Sequence, residues 1–225
     1  MLRVEGLDVS IGAVSILRGV NMALPDGKFT GLVGRNGAGK TTLMRAIMGI
    51  LKTRNGSIHA QASTLDAMPT HARARMGIGY MPEDRRLVPN LSVEENVLMP
   101  AWAGGLPDIP ARLARVYEMI PKVEAFAGRR AMQLSGGQQK LVALARALMC
   151  GTKVLLLDEP FEGVAPVLAR RLAEVIAALK HEGLSILLTE SDLSHSREML
   201  DILYTIDRGE VSPGDLSRLQ GSASR

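Results

Sequence analysis

Apolar and polar residues alternate over residues 3–10 and an apolar run follows over residues 14–22, a pattern that predicts two strands. Pro25, Asp26 and Gly27 mark the turn after them. Residues 29–33 then read as a buried strand. They lead through a glycine-rich loop into residues 40–49, where Leu43, Ile47 and Ile50 recur at helical spacing. Asn55 and Gly56 predict a turn before a short strand at residues 57–60, and residues 78–81 predict another strand.

From Leu91 to about Ala131 the periodicity is helical, interrupted at Gly104, Gly105, Pro107 and Pro110, which predicts an inserted α-helical subdomain over about residues 91–149. Residues 154–157 form an apolar strand closed by acids, residues 167–180 a helix, and residues 185–188 a further apolar strand. Strands alternating with helices in this way predict a parallel sheet. Residues 203–206 and Glu210 with Val211, around Asp207, Arg208 and Gly209, predict a closing hairpin. The expectation is one α/β domain over residues 1–225. Residues 1–90 and 150–225 are expected to form its core, with an antiparallel β region at the N-terminus.

Composition narrows this picture. With 225 residues, 46% of them hydrophobic, the chain supports one core and a lobe but not two large domains. The net charge of +4 is spread among acids without a basic run, so no nucleic-acid partner is expected. Cys150 is the only cysteine, which rules out an internal disulfide, and its neighbours Leu148 and Met149 predict a buried apolar setting. Arg3 and Glu5 stand where a secretory leader needs apolar residues, and no stretch reaches the roughly 18 apolar residues of a membrane span. A cytoplasmic chain is expected. Its 12 methionines, beside only 3% aromatics, predict methionine as core filler.

Three strings carry chemistry. Gly34, Arg35, Asn36, Gly37, Ala38, Gly39, Lys40 and Thr41 fit the pattern G-x-x-x-x-G-K-[ST], with Thr42 following. A glycine-rich turn with a chance lysine gives the same letters, but this one lies between a strand and a helix, where a phosphate cradle must lie. Its backbone N–H groups would face phosphates, Lys40 would place charge near the β and γ phosphates, and the Thr41 hydroxyl would meet magnesium. Asp158 and Glu159 close the strand at residues 154–157, where parallel sheets present ligand-binding groups. Asp158 is the expected magnesium partner, and Glu159 the group that orients or deprotonates attacking water. Leu134, Ser135, Gly136, Gly137 and Gln138 precede a helix predicted from Gln139 to Leu148, a second phosphate-binding helix start far in sequence from Lys40.

Together with Asp158, Glu159 and Pro160, the string from Leu134 to Gln138 resembles the ABC ATPase family, over essentially the whole chain and with the motifs in the family's order. The resemblance implies a P-loop NTPase fold with a RecA-like core, ATP and Mg2+ as cofactors, and hydrolysis of the nucleotide. It also implies a head-to-tail pair with a second ATPase subunit, identical or not. ATP then sits between one subunit's P-loop and the other's Ser135, Gly136, Gly137 and Gln138. Transmembrane permease subunits, a periplasmic solute-binding protein acting indirectly, and a peripheral place on the inner face of the bacterial cell membrane follow from the same likeness.

Three positions depart from the family pattern. Ile11 stands where an aromatic residue stacks on adenine, a contact worth about 1–3 kcal/mol. Glu83 replaces the glutamine that meets magnesium, and Ser191 replaces a histidine assigned to catalysis. His195, four residues on, reads as a solvent-facing helix histidine rather than its substitute. Pro82 with Glu83, the run Val93, Glu94, Glu95, Asn96, and the run Gly163, Val164, Ala165, Pro166 are similar to the second ATP-binding subunit of branched-chain amino acid, urea or amide importers. Two other readings compete. A soluble ABC ATPase of chromosome or repair work would carry a coiled coil between Glu83 and Leu134, and no heptad run occurs there. A nucleotide-gated regulatory subunit with little hydrolysis fits Ile11 and Ser191 but not Glu159.

Overall fold

The computed structural model describes residues 1–217, so the end of the expected domain, residues 218–225, lies outside the described residues. Its ten strands are β1 (Leu2–Ile11), β2 (Val14–Leu24), β3 (Phe29–Val33), β4 (Asn55–Ala60), β5 (Ser63–Thr64), β6 (Ile78–Met81), β7 (Val154–Asp158), β8 (Ser185–Glu190), β9 (Ile202–Asp207) and β10 (Glu210–Pro213). The helices are α1 (Lys40–Ile47), α2 (Thr70–Arg75), α3 (Val93–Gly104), α4 (Ile109–Met119), α5 (Pro121–Glu124), α6 (Gly136–Cys150) and α7 (Pro166–Ala178).

Two sheets form. One has the order β2-β1-β4-β5 and is antiparallel, and the other has the order β10-β9-β3-β8-β7-β6. In the second, the strands from β9 to β6 run parallel and β10 folds back antiparallel on the edge, which realises the α/β expectation and the closing hairpin.

Alternation along the strands builds a core on each face of the parallel sheet. On one face Leu155 and Leu157 of β7, with Ile186 and Leu188 of β8, pack with residues of α6 and α7 such as Val142, Leu144, Leu172 and Ile176. On the other, Leu156 and Leu187 meet Leu43, Met44 and Ile47 of α1 and the inner side of the antiparallel sheet, including Val4, Leu17 and Ile58. Met22, Met44, Met48, Met81 and Met149 are buried in these clusters, as core filler requires. Cys150 is a buried free cysteine, and burial pushes its thiol up to about 11. No helix among the described residues is long and apolar enough to cross a membrane.

The structure differs from the sequence expectation in two places near the first helix. Helix α1 stops at Ile47, and Ile50 is 44% exposed instead of sharing the face of Leu43 and Ile47. The buried Arg73 guanidinium donates to the Ala46 and Ile47 carbonyls at 3.0 and 2.6 Å, holding backbone oxygens of the helix end. Asn55 and Gly56 do not form a turn before β4 but begin it. Asn55 pairs with Asp8 of β1, and its Nδ2 donates to Asp8 Oδ2 at 3.0 Å.

Helix α6 lies very close to β6. A Cβ added at Gly79 would sit 2.2 Å from the Ala147 carbonyl oxygen and 2.8 Å from Gly151 Cα, both backbone atoms that cannot swing aside. Replacing Gly79 by Ala should therefore lift α6 off the sheet and lower stability by about 3 kcal/mol, read from the midpoint of urea unfolding. An unchanged midpoint would show that the helix has slack there.

Candidate nucleotide site

The site assembles where the parallel strands end. Strand β3 runs into the loop at Gly34, and α1 begins at Lys40 after Gly39, whose φ of 116° is open to glycine and hardly to other residues. Strand β7 ends on Asp158 with Glu159 next, β8 ends on Glu190 with Ser191 next, and β6 leads to Glu83. A cavity of about 440 Å³ is lined by Ile16, Asn36, Gly37, Gly39, Lys40, Thr41, Thr42, Glu83 and Glu159. Gly34, Arg35 and Ala38 line a second cavity on the Asp207 and Arg208 side of the loop.

Lys40 is only 5% exposed, and its Nζ lies 2.9 Å from Glu159 Oε1, a buried ion pair. It also donates to the Gly34 and Arg35 carbonyls and to Ser191 Oγ at 3.4 Å. The Ser191 hydroxyl stands 2.8 Å from Asn36 Oδ1 and 3.1 Å from Glu159 Oε1, and its single proton serves one of them at a time. Sequence-distant Asn36, Lys40, Glu159 and Ser191 thus form one polar cluster.

Asp158 is fully buried and accepts three hydroxyl hydrogen bonds, from Thr189 at 2.8 Å, Thr41 at 3.2 Å and Tyr80 at 3.1 Å. Burial raises its carboxyl above the ordinary aspartate range, the three hydroxyls pull it back in part, and the neighbouring Glu159 charge adds to the rise. A magnesium ion suits these donors, because Thr41 and Asp158 are hard oxygen ligands held together at the mouth of the loop. Glu83 is exposed and lines the same cavity.

Glu190 lies behind this cluster, 5% exposed, with Ser196 Oγ donating to its Oε2. Burial pushes its carboxyl up to about 8, and the charges of Asp192 and Glu159 reinforce that rise against the Ser196 bond.

Ser135 to Gln138 lie elsewhere on the surface. Ser135 caps α6, accepting from the Gln138 amide at 3.4 Å while Gln138 Oε1 accepts from the Ser135 amide at 3.0 Å. Helix α6 thereby starts at Gly136, three residues before the predicted Gln139, because the two glycines are held in its first turn by this reciprocal cap. Neither Ser135, Gly136, Gly137 nor Gln138 lines the cavities around the P-loop. Ile11, half exposed at the tip of the β1–β2 hairpin, does not line them either, whereas Ile16 of β2 does. His195 is not on a helix: it occupies a turn, its ring 5.3 Å from that of Phe161, in a small recess shared with Glu159 and Ser191.

The sequence reading missed Tyr80, Thr189 and Ile16. A threonine inside the apolar run of β8 was a visible signal, whereas Tyr80 and Ile16 read simply as strand residues.

Comparison with known proteins places this geometry. A family model described as ABC transporter matches residues 17–162. The high-affinity branched-chain amino acid transport ATP-binding protein BraG of Pseudomonas aeruginosa is 32% identical over 211 residues, 94% of this chain and 91% of that protein. The lipopolysaccharide export system ATP-binding protein LptB of Escherichia coli K12 is 31% identical over 198 residues, 87% and 82% of the two chains. Among solved structures, the ADP conformation of an ATP-binding cassette of an ABC transporter superposes with a TM-score of 0.85 at 27% identity, covering 99% of this chain and 95% of that one.

Two measurements follow. Replacing Tyr80 by Phe removes one donor from Asp158 and should weaken magnesium binding roughly tenfold, read as the Mg2+ concentration for half-maximal nucleotide binding. Glu190 is retained protonated in the fold up to about 8 against an ordinary 4.5, so the stability it contributes is full below 4.5 and lost as pH rises to about 8. The melting temperature of the Glu190→Gln variant should accordingly fall less than that of the parent across this window; parallel curves would refute the assignment.

Proposed function

The chain belongs to the ABC transporter family of ATP-binding proteins, which hydrolyse ATP, and on that premise we propose that it energises uptake of a small solute, a branched-chain amino acid or a related amide. The observation that carries the import reading is its likeness, over 94% of its length, to BraG and to the probable branched-chain amino acid transport protein LivF of Archaeoglobus fulgidus. Its place in that reading is peripheral, on the inner face of the cell membrane. There it contacts permease subunits through Glu83 and the helical stretch from Leu91, which with residues to about 149 moves as a subdomain. A periplasmic solute-binding protein would act from the other side.

The site residues have distinct tasks in this proposal. Residues Gly34, Arg35, Asn36, Gly37, Ala38, Gly39, Lys40, Thr41 and Thr42 cradle the phosphates, with Ile11 beside the adenine. Lys40 exchanges Glu159 for phosphate oxygens, since one ammonium cannot serve both fully. Thr41 and Asp158, joined by Glu83, would hold magnesium, which supplies charge neutralisation at the β and γ phosphates. The Glu159 carboxylate, once released from Lys40, accepts the proton of the attacking water, with Ser191 orienting it from 3.1 Å. Ser135, Gly136, Gly137 and Gln138, being outside their own chain's cavity, complete the site of a second ATPase subunit. A dimeric structure of a bacterial ABC transporter cassette shares this fold with a TM-score of 0.83 at 23% identity.

Export is the second reading, favoured by the 31% identity to LptB. Deleting the gene from its host and measuring uptake of labelled leucine separates the two. Import of a branched-chain amino acid predicts a loss that the intact chain restores and the Glu159→Gln chain does not; undiminished leucine uptake would sink that assignment. In the purified chain, Glu159→Gln should lower steady-state ATP hydrolysis by about 10² to 10⁴ while nucleotide binding persists. Equal rates would remove Glu159 from the chemistry.

A further inference from the structure

Helix α6 carries a lysine that does not reach solvent. Lys140 is 1% exposed, and its Nζ donates to the backbone carbonyl of Glu159 at 2.8 Å. Lysine side chains ordinarily keep the ammonium in water even when their stems are covered, so this burial calls for a reason. Burial and the nearby Arg85 make its ammonium easier to deprotonate, against the opposing carboxylates of Glu83, Glu162 and Glu159.

The peptide it holds is unusual. Glu159 has a φ of 47°, a left-handed backbone that a non-glycine residue keeps only where its surroundings over-determine it. Its N–H faces Thr189 of β8, with the carbonyl oxygen at 3.2 Å and Oγ1 at 3.1 Å, and its C=O takes the Lys140 bond. The same helix holds the loop of Glu83: Gln139 Oε1 accepts from Arg85 Nη1 at 3.0 Å, and the Arg146 guanidinium donates to the carbonyls of Arg85 and Arg86. Both of those arginines are themselves left-handed. Ser135 begins this helix, so one rigid element joins the Ser135 turn, the Glu83 loop and the Glu159 peptide.

We propose that Lys140 is a positioning residue for Glu159: from α6 it fixes the left-handed peptide that aims the Glu159 carboxylate into the P-loop cavity. Displacement of the Ser135 end of α6 is then felt directly at that carboxylate. The inference rests on Glu159 as the base, so the Glu159→Gln chain is measured beside it.

The test is single-turnover ATP hydrolysis by the full chain, expressed per folded nucleotide-binding site. Lys140→Met fills the same space without a donor, and Lys140→Arg keeps one. Met should lower the rate at least tenfold with the ATP dissociation constant within twofold, and Arg should recover a substantial part of that loss. A packing role would rank the variants the other way, since Met fits an apolar channel better than Arg. Should Lys140→Met not fold, Lys140→Ala, too short to reach the carbonyl, is judged by the same criteria. An unchanged rate in the donor-less variant, a loss explained by weaker ATP binding, or equal losses in Met and Arg would overturn the proposal. If Glu159→Gln retains full activity, the reading of Glu159 itself has failed, which is a separate result.

Discussion

Two adjacent carboxylates at the buried end of one apolar strand set the terms for the rest of the structure. Leu155 to Leu157 bury completely between the two cores, and the chain then delivers Asp158 and Glu159 at 0% and 6% exposure. Charge in such a place is costly unless every lone pair is answered. Asp158 is answered by three hydroxyls from three elements, and Glu159 by the Lys40 ammonium and the Ser191 hydroxyl. The P-loop, β6, β8 and α1 are therefore tied to β7 by electrostatic need as well as by hydrogen-bonded ladders.

This arrangement leaves the cluster more hydrogen-bonding options than it can use at once. Lys40 has more oxygen neighbours than N–H groups, and Ser191 has two acceptors for one proton. Such a cluster has more than one satisfactory arrangement, so an arriving anion can displace Glu159 from Lys40 without leaving either group stranded. The frame around it is stiff by contrast: α6 presses on Gly79 too closely for a side chain, and Arg73 ties two carbonyls at the far end of α1, Ala46 and Ile47, to those of Leu65 and Met68.

Much of the fold was legible because its signals are local. Apolar runs at residues 29–33, 154–157 and 185–188 can only be buried strands in a chain with helices between them, and the P-loop string declares its strand and helix. The stop of α1 was legible in Gly49, whose φ of 69° closes the helix as its amide returns to the Ala46 carbonyl, but the Arg73 guanidinium that also binds the Ala46 and Ile47 carbonyls, 26 residues beyond Ile47, was not. The start of α6 was encoded locally too, in Ser135 followed three residues later by Gln138, a spacing that caps a helix even though the paired glycines between them favour a turn.

The candidate site divides in the same way. Gly34 to Thr41, Asp158, Glu159 and Ser135 to Gln138 are recognisable as residue types in a spacing, because phosphate and magnesium chemistry demands those groups whatever surrounds them. Sequence by itself thus determined the family, the α/β class and the groups proposed to meet the nucleotide. Which of those groups touch one another was decided only by tertiary structure. The Lys40 to Glu159 pair spans 119 positions, the three hydroxyls reach Asp158 from 31 to 117 positions away, and Lys140, an ordinary helix lysine in the sequence, becomes a buried donor only because α6 docks over β7. Contacts across such separations are set by the packing of two hydrophobic faces on one sheet, and no local pattern encodes them.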